Sequence, residues 1–123
     1  MSTLLDTNIL IDLLRSKASA VEFVKGLAGA PSISVVTVME LTRGARSRRE
    51  EAAIERMIAG LRLYSVDKGI AEAAGCVVKH YQPSHHLDDL DALIAATAEA
   101  HDLQLATLNV KHFPMFPRLK SPY

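Results

Sequence analysis

The stretch Thr3-Leu4-Leu5-Asp6-Thr7-Asn8-Ile9-Leu10-Ile11-Asp12-Leu13-Leu14 decides the architecture. Its first three residues read as a short β-run, which breaks at Asp6-Thr7-Asn8 and gives way to a helical pattern from Ile9 onward. Thr7 or Asn8 carries the side-chain oxygen that caps such a helix. The same change of pattern recurs along the chain. Ser32-Ile33-Ser34-Val35-Val36 follows the turn signal Gly29-Ala30-Pro31 and predicts a strand. Helix should resume near Thr37 or Val38 and run to Gly44. Helices are predicted over 18–28, with Val21, Val24, Leu27 and Ala28 on one stripe, and over 48–60, with Ile54, Met57, Ile58 and Leu61 at helical spacing. Further strands are predicted at 63–66 and 103–106, and helices at 67–81 and 91–101, with Pro83-Ser84-His85-His86 as a loop. The tail from Phe113 holds Pro114, Pro117 and Pro122 and is expected to be mostly loop, with room for one short final strand. Strands that alternate with helices and lack two-residue hairpin signals predict an α/β fold with a parallel sheet between helices.

The length, 123 residues, suits a single domain over 1–123, and no repeat, linker or low-complexity segment divides it. A hydrophobic fraction of 49% excludes a disordered chain. Lys and Arg number 14 against 14 Asp and Glu, which excludes a nucleic-acid binder held by bulk positive charge but leaves room for a local basic patch. The one cysteine, Cys76, has no internal disulfide partner, and its apolar, helical setting predicts a buried, reduced thiol. The N-terminus has no basic region and Asp6 interrupts its apolar run, unlike a signal peptide. No apolar stretch approaches the roughly 18 residues of a membrane span. The expectation is a soluble, cytoplasmic protein.

In an open parallel sheet the ligand site lies beyond the carboxyl ends of the strands. Asp6 follows the first predicted strand, Thr37 and Glu40 the second, and Thr107 and Asn109 the last. Asp88, Asp89 and Asp91 open the most strongly helical segment. Carboxylates converging there repel one another unless protonated or neutralised by a cation. An all-oxygen donor set suits Mg²⁺ or Mn²⁺, and such an ion promotes in-line hydrolysis of a phosphodiester by water. Each acid also has a plainer reading: Asp6 as a helix-entry residue, Glu40 as an outer-face side chain, and the three aspartates as caps and partners of a helix dipole.

Four segments together resemble the PIN-domain ribonucleases, above all the VapC-type toxins of bacterial toxin–antitoxin pairs. They are Leu4 through Asp12, Ser34 through Gly44, Asp91 through Ala98 and Leu105 through Phe113, in family order and spanning residues 4–113. The resemblance implies a Rossmann-like three-layer α/β/α sandwich around a central parallel sheet. It implies metal ligands at Asp6, Glu40 and Asp91, with Mg²⁺ or Mn²⁺ as cofactor and RNA products with 3′-hydroxyl and 5′-phosphate ends. The fourth acidic position falls on Asn109, which removes a charge, leaves the number of metals open, and still offers a group to orient water. Thr7, Asn8 and Thr37 look like supports for the carboxylates, as does Thr107 after the last strand, and Asp88 lies one turn before Asp91.

The substrate implied is RNA (tRNA, rRNA or mRNA). Arg43, Arg46, Arg48, Arg49 and Lys111 are candidate phosphate contacts, although a solvated helix junction accounts for the arginines equally well. His112, Arg118 and Lys120 complete a basic tail, and the His85-His86 pair is most simply a polar loop. The resemblance also implies homodimerisation and a small antitoxin held in an apolar groove. The 48–61 stripe is a candidate wall of that groove, with core packing as its alternative. Two other readings compete. A haloacid-dehalogenase-type phosphatase needs an acid two residues after Asp6, where this chain has Asn8. A catalytically weak PIN-like module that binds RNA or protein without cutting remains compatible with Asn109.

Overall fold

The computed structural model describes residues 2–81 and 87–123. In chain order the elements are β1 (Thr3–Leu5), α1 (Thr7–Leu14), α2 (Ala18–Lys25), β2 (Ser32–Ser34), α3 (Val35–Gly44), α4 (Arg48–Ala59), β3 (Arg62–Tyr64), α5 (Lys68–Tyr81), α6 (Asp89–Ala100) and β4 (Gln104–Ala106). A 3₁₀ turn at Val110–His112 follows. The four strands form one sheet in the order β3-β2-β1-β4, and each pairing is parallel, with Leu4 opposite Ser32 on one side and Leu105 on the other.

Successive residues of a strand face opposite sides of its sheet, and β1 shows the consequence. Leu5 joins Ile9, Leu10, Ile33, Leu41 and Ile54 in one core, against which α2 packs Phe23 and Val24. Leu4 joins Val36, Ile94, Ala95, Ala98 and Phe113 in a second core on the other face. The helices α5 and α6 close that side through Ile70, Ala74, Ala92 and Ala96. Three layers result, as the sequence predicts. Right-handed crossovers explain the division. The path β1 to β2 to β3 moves one way across the sheet and leaves α1, α2 and α4 on one face. The return from β3 to β4 runs the other way and lays α5 and α6 on the opposite face. The chain thus changes direction between β1 and β4, and the carboxyl ends of those two strands flank the crevice.

Several boundaries differ from the sequence reading. β2 ends at Ser34 rather than Val36, because the Ser34 hydroxyl accepts the Val36 N–H at 3.1 Å and starts α3 there. The cap of α1 is Asp6, not Thr7 or Asn8. Asp88 caps α6, which begins two residues before Asp91. Gly26 stops α2 early. Among the described residues no strand follows β4; the tail makes the 3₁₀ turn and further turns instead. Cys76 is exposed, against expectation. The inward stripe of α5 runs Ile70, Ala74, Val77, Val78 and Tyr81, and residue 76 lies on the far side of a 3.6-residue turn from that stripe. The predicted 83–86 loop lies outside the described residues. No helix among the described residues is long and apolar enough to cross a membrane.

Phe113, 1% exposed, is the largest fully buried side chain. Phe113→Ala should cost about 3–5 kcal/mol, seen as a lower urea midpoint at unchanged slope. A midpoint within error of wild type would show that the tail does not contribute to the core.

Candidate functional site

Asp6 leaves β1 at the crevice and is 4% exposed. A buried carboxylate is tolerated only when donors surround it, and three do. The Thr7 N–H donates to Oδ1 at 2.8 Å, the Thr107 hydroxyl to Oδ2 at 2.7 Å, and the Asn8 amide approaches Oδ2 at 3.5 Å. Thr107, fully buried at the end of β4, also accepts the Asn109 N–H at 3.0 Å and the Asn8 amide at 3.3 Å. Asn8 in turn accepts the Leu108 N–H at 3.3 Å. The turn after β4 is therefore tied to the start of α1 through side chains that converge on Asp6.

A second chain of contacts leads to Glu40. The Thr7 hydroxyl donates to Glu40 Oε1 at 2.6 Å, and the buried Thr37 hydroxyl lies 3.0 Å from that of Thr7. Thr7 thus serves both acids, Asp6 through its backbone and Glu40 through its side chain. Asp91 stands in the first turn of α6, and its Oδ2 lies 3.2 Å from Nδ1 of His112. No sequence argument singled out His112 beyond a basic tail. The signal available was its place beside Phe113, the residue that anchors the turn after β4.

Electrostatics joins Asp91 to Asp6. Burial raises the Asp6 carboxyl above its ordinary range, against the opposing hydrogen bonds from Thr107 and Thr7 and the nearby His112. Asp91 is pushed up to about 6, first by burial, then by the negative charges of Asp6 and Asp88, with His112 pulling the other way. Among the described residues no Lys or Arg pairs with either carboxylate. Two carboxyls raised by burial, one of them further raised by the other's charge, form a donor set that fits a hard divalent cation. Among the described residues no three acidic, His or Cys side chains stand close enough together to hold a metal ion. Glu40 is bonded to Thr7 and Asp91 to His112.

The other predicted positions fall as follows. Asp88 caps α6, accepting the Leu90 N–H at 2.8 Å, and reaches Asp91 through charge alone. Asn109 is exposed beside Thr107. Arg43, Arg46, Arg48, Arg49 and Lys111 are all exposed. Arg46 lines a groove of about 340 Å³ with Glu40, Arg15, Glu50, Ile11 and Ile54. Of the stripe offered as a groove wall, Ile54 alone lines it; Met57, Ile58 and Leu61 are partly buried against the core instead.

Comparison with known proteins gives a consistent picture. The PIN domain family matches residues 3–117. Ribonuclease VapC10 of Mycobacterium tuberculosis is 42% identical over 98% of this chain and 92% of its own length. Ribonuclease VapC19 of the same organism is 40% identical over 98% of both chains. A toxin-antitoxin complex from Klebsiella pneumoniae contains a chain that superposes with a TM-score of 0.86 at 33% identity, covering 99% of this chain and 98% of that one.

The raised pKa of Asp91 has a consequence for stability. A carboxyl whose folded pKa exceeds its unfolded value binds more protons when folded, so stability falls as pH rises from 3.8 to about 6. In chelator, Asp91→Asn should raise the unfolding free energy above that window by on the order of 2 kcal/mol. The gain should vanish below the window. A gain independent of pH in urea melts would place its origin elsewhere.

Proposed function

The chain belongs to the PIN domain family, and from that membership and the paired carboxylates of Asp6 and Asp91 we propose that it is a metal-dependent endoribonuclease, the toxin of a type II toxin–antitoxin pair. The observation that carries the reading is the crevice between β1 and β4, where burial raises both carboxyls and, among the described residues, no Lys or Arg pairs with either, while His112 approaches Asp91. Asp6, Asp91 and Glu40 are the residues that would hold Mg²⁺ or Mn²⁺. Once bound, such an ion supplies positive charge to a phosphodiester and lowers the pKa of water.

The chain's own residues do the positioning. Asp6 is held by the Thr7 N–H and the Thr107 hydroxyl, so its oxygens are oriented before any ligand arrives. Thr7 holds Glu40 at the far side of the same helix start. Asn109, where the resemblance puts a fourth acid, adds a polar amide at the rim without adding charge. Arg43, Arg46, Arg48, Arg49 and Lys111 are exposed and available to RNA phosphates, whose recognition rests on charge and backbone shape. The groove lined by Ile11, Leu14, Leu41 and Ile54 also has Glu40 in its wall and suits an apolar segment of an antitoxin. The Klebsiella relative, a toxin-antitoxin complex, supports that partner. Asn8 cannot supply the general acid of a dehalogenase-type phosphatase, since its amide carries no labile acid proton and is engaged with Thr107 and Leu108.

The test uses the full chain purified free of any partner and incubated with total RNA in Mg²⁺, Mn²⁺ or EDTA. Discrete fragments should form with metal alone. Asp91→Asn should reduce cleavage beyond the roughly 10–100-fold typical of residues that merely support a metal ligand. Intact RNA with folded, metal-loaded protein would favour a PIN-like module that binds without cutting.

A further inference from the structure

The turn after β4 delivers one more side chain to the crevice. Its backbone is fastened on both sides: the Asn109 N–H is held by Thr107 Oγ1 at 3.0 Å, and Phe113 is buried against Leu4, Ile94, Ala95 and Ala98. Between these anchors the 3₁₀ turn closes through His112 N–H to Asn109 C=O at 2.9 Å and Phe113 N–H to Val110 C=O at 3.1 Å. Residue 112 thus has little freedom to swing away from α6. Its imidazole Nδ1 meets Asp91 Oδ2 at 3.2 Å, joining the end of β4 to the first turn of α6 across 21 residues of sequence. Among the described residues no backbone N–H donates to the Asp91 carboxylate as that of Thr7 does to Asp6.

We propose that His112 is a positioning residue: its Nδ1–H fixes the rotation of the Asp91 carboxylate, so that this acid presents a defined oxygen to a divalent ion shared with Asp6. The inference rests on the metal-dependent reading above. His112 also lies close enough to lower the carboxyl pKa of both Asp6 and Asp91, which agrees with its facing the pair rather than one acid alone. The side chain is 54% exposed, so its replacement leaves the core intact. The role is indirect, through Asp91. It parallels the hydrogen bonds that orient carboxylate ligands at metal sites, where losing one weakens binding by about 10–100-fold.

The probe is Mn²⁺ itself, titrated into the full chain without RNA at one pH and followed by the loss of the free-ion electron paramagnetic resonance signal. Wild type, His112→Ala and His112→Asn are compared, because the Asn amide places a donor close to where Nδ1 stands. His112→Ala should weaken Mn²⁺ binding about tenfold or more, with His112→Asn recovering most of the loss. RNA cleavage at saturating Mn²⁺ should then be restored in both variants, with KM unchanged. Equal Mn²⁺ affinity in wild type and His112→Ala would overturn the proposal, as would an Asn variant no better than Ala. A raised KM with unaltered Mn²⁺ affinity would make His112 an RNA contact and likewise overturn it. Absence of both Mn²⁺ binding and cleavage in wild type would instead bring down the functional reading on which the inference stands.

Discussion

A carboxylate buried at the end of a central strand is the constraint from which the site follows. Asp6 cannot be left without donors in that position, because an unpaired buried charge costs several kcal/mol. The fold meets the demand from two directions. The start of α1 supplies the Thr7 N–H, and the end of β4 supplies the Thr107 hydroxyl. Those donors come from segments about a hundred residues apart, so one ionisable group ties the start of α1 to the turn after β4 at the crevice. The remaining hydrogen bonds of Asn8, Leu108 and Asn109 elaborate the same junction.

That junction is polar but not self-sufficient. Hydrogen bonds lower the Asp6 carboxyl without overcoming its burial, and Asp91 is raised further by the charge of Asp6. A site built for stability alone would have placed an Arg or Lys between the two acids, or replaced one by an amide. Instead no Lys or Arg among the described residues pairs with either acid, and that arrangement of raised carboxyls sits in the crevice. Topology puts it there: the parallel sheet reverses its direction of growth between β1 and β4, and the crevice opens at that reversal.

Local pattern proved reliable where one force dominated. The strand-to-helix break after Leu5 was legible from apolar spacing, and so was the alternation that makes the sheet parallel. It failed where side chains decide between adjacent outcomes. Val35 and Val36 read as strand because they are β-branched, yet the Ser34 hydroxyl caps a helix at that point. Cys76 read as buried because its neighbours are apolar, yet the inward stripe of α5 passes it by.

The sequence by itself determined the alternation of strands and helices and which acids follow a strand or open a helix, since periodicity and chain position are local properties. Position made Asp6, Glu40 and Asp91 candidates, and the likeness of four segments to the PIN-domain ribonucleases singled them out, together with the threonines beside them. Only the tertiary structure decided how those acids are held. Thr107 bonds to Asp6, Glu40 to Thr7, and His112 to Asp91 because three connections of very different length end at one crevice. Hydrogen bonds act over about 3 Å, and no spacing along the chain reveals which groups the sheet will bring within that reach.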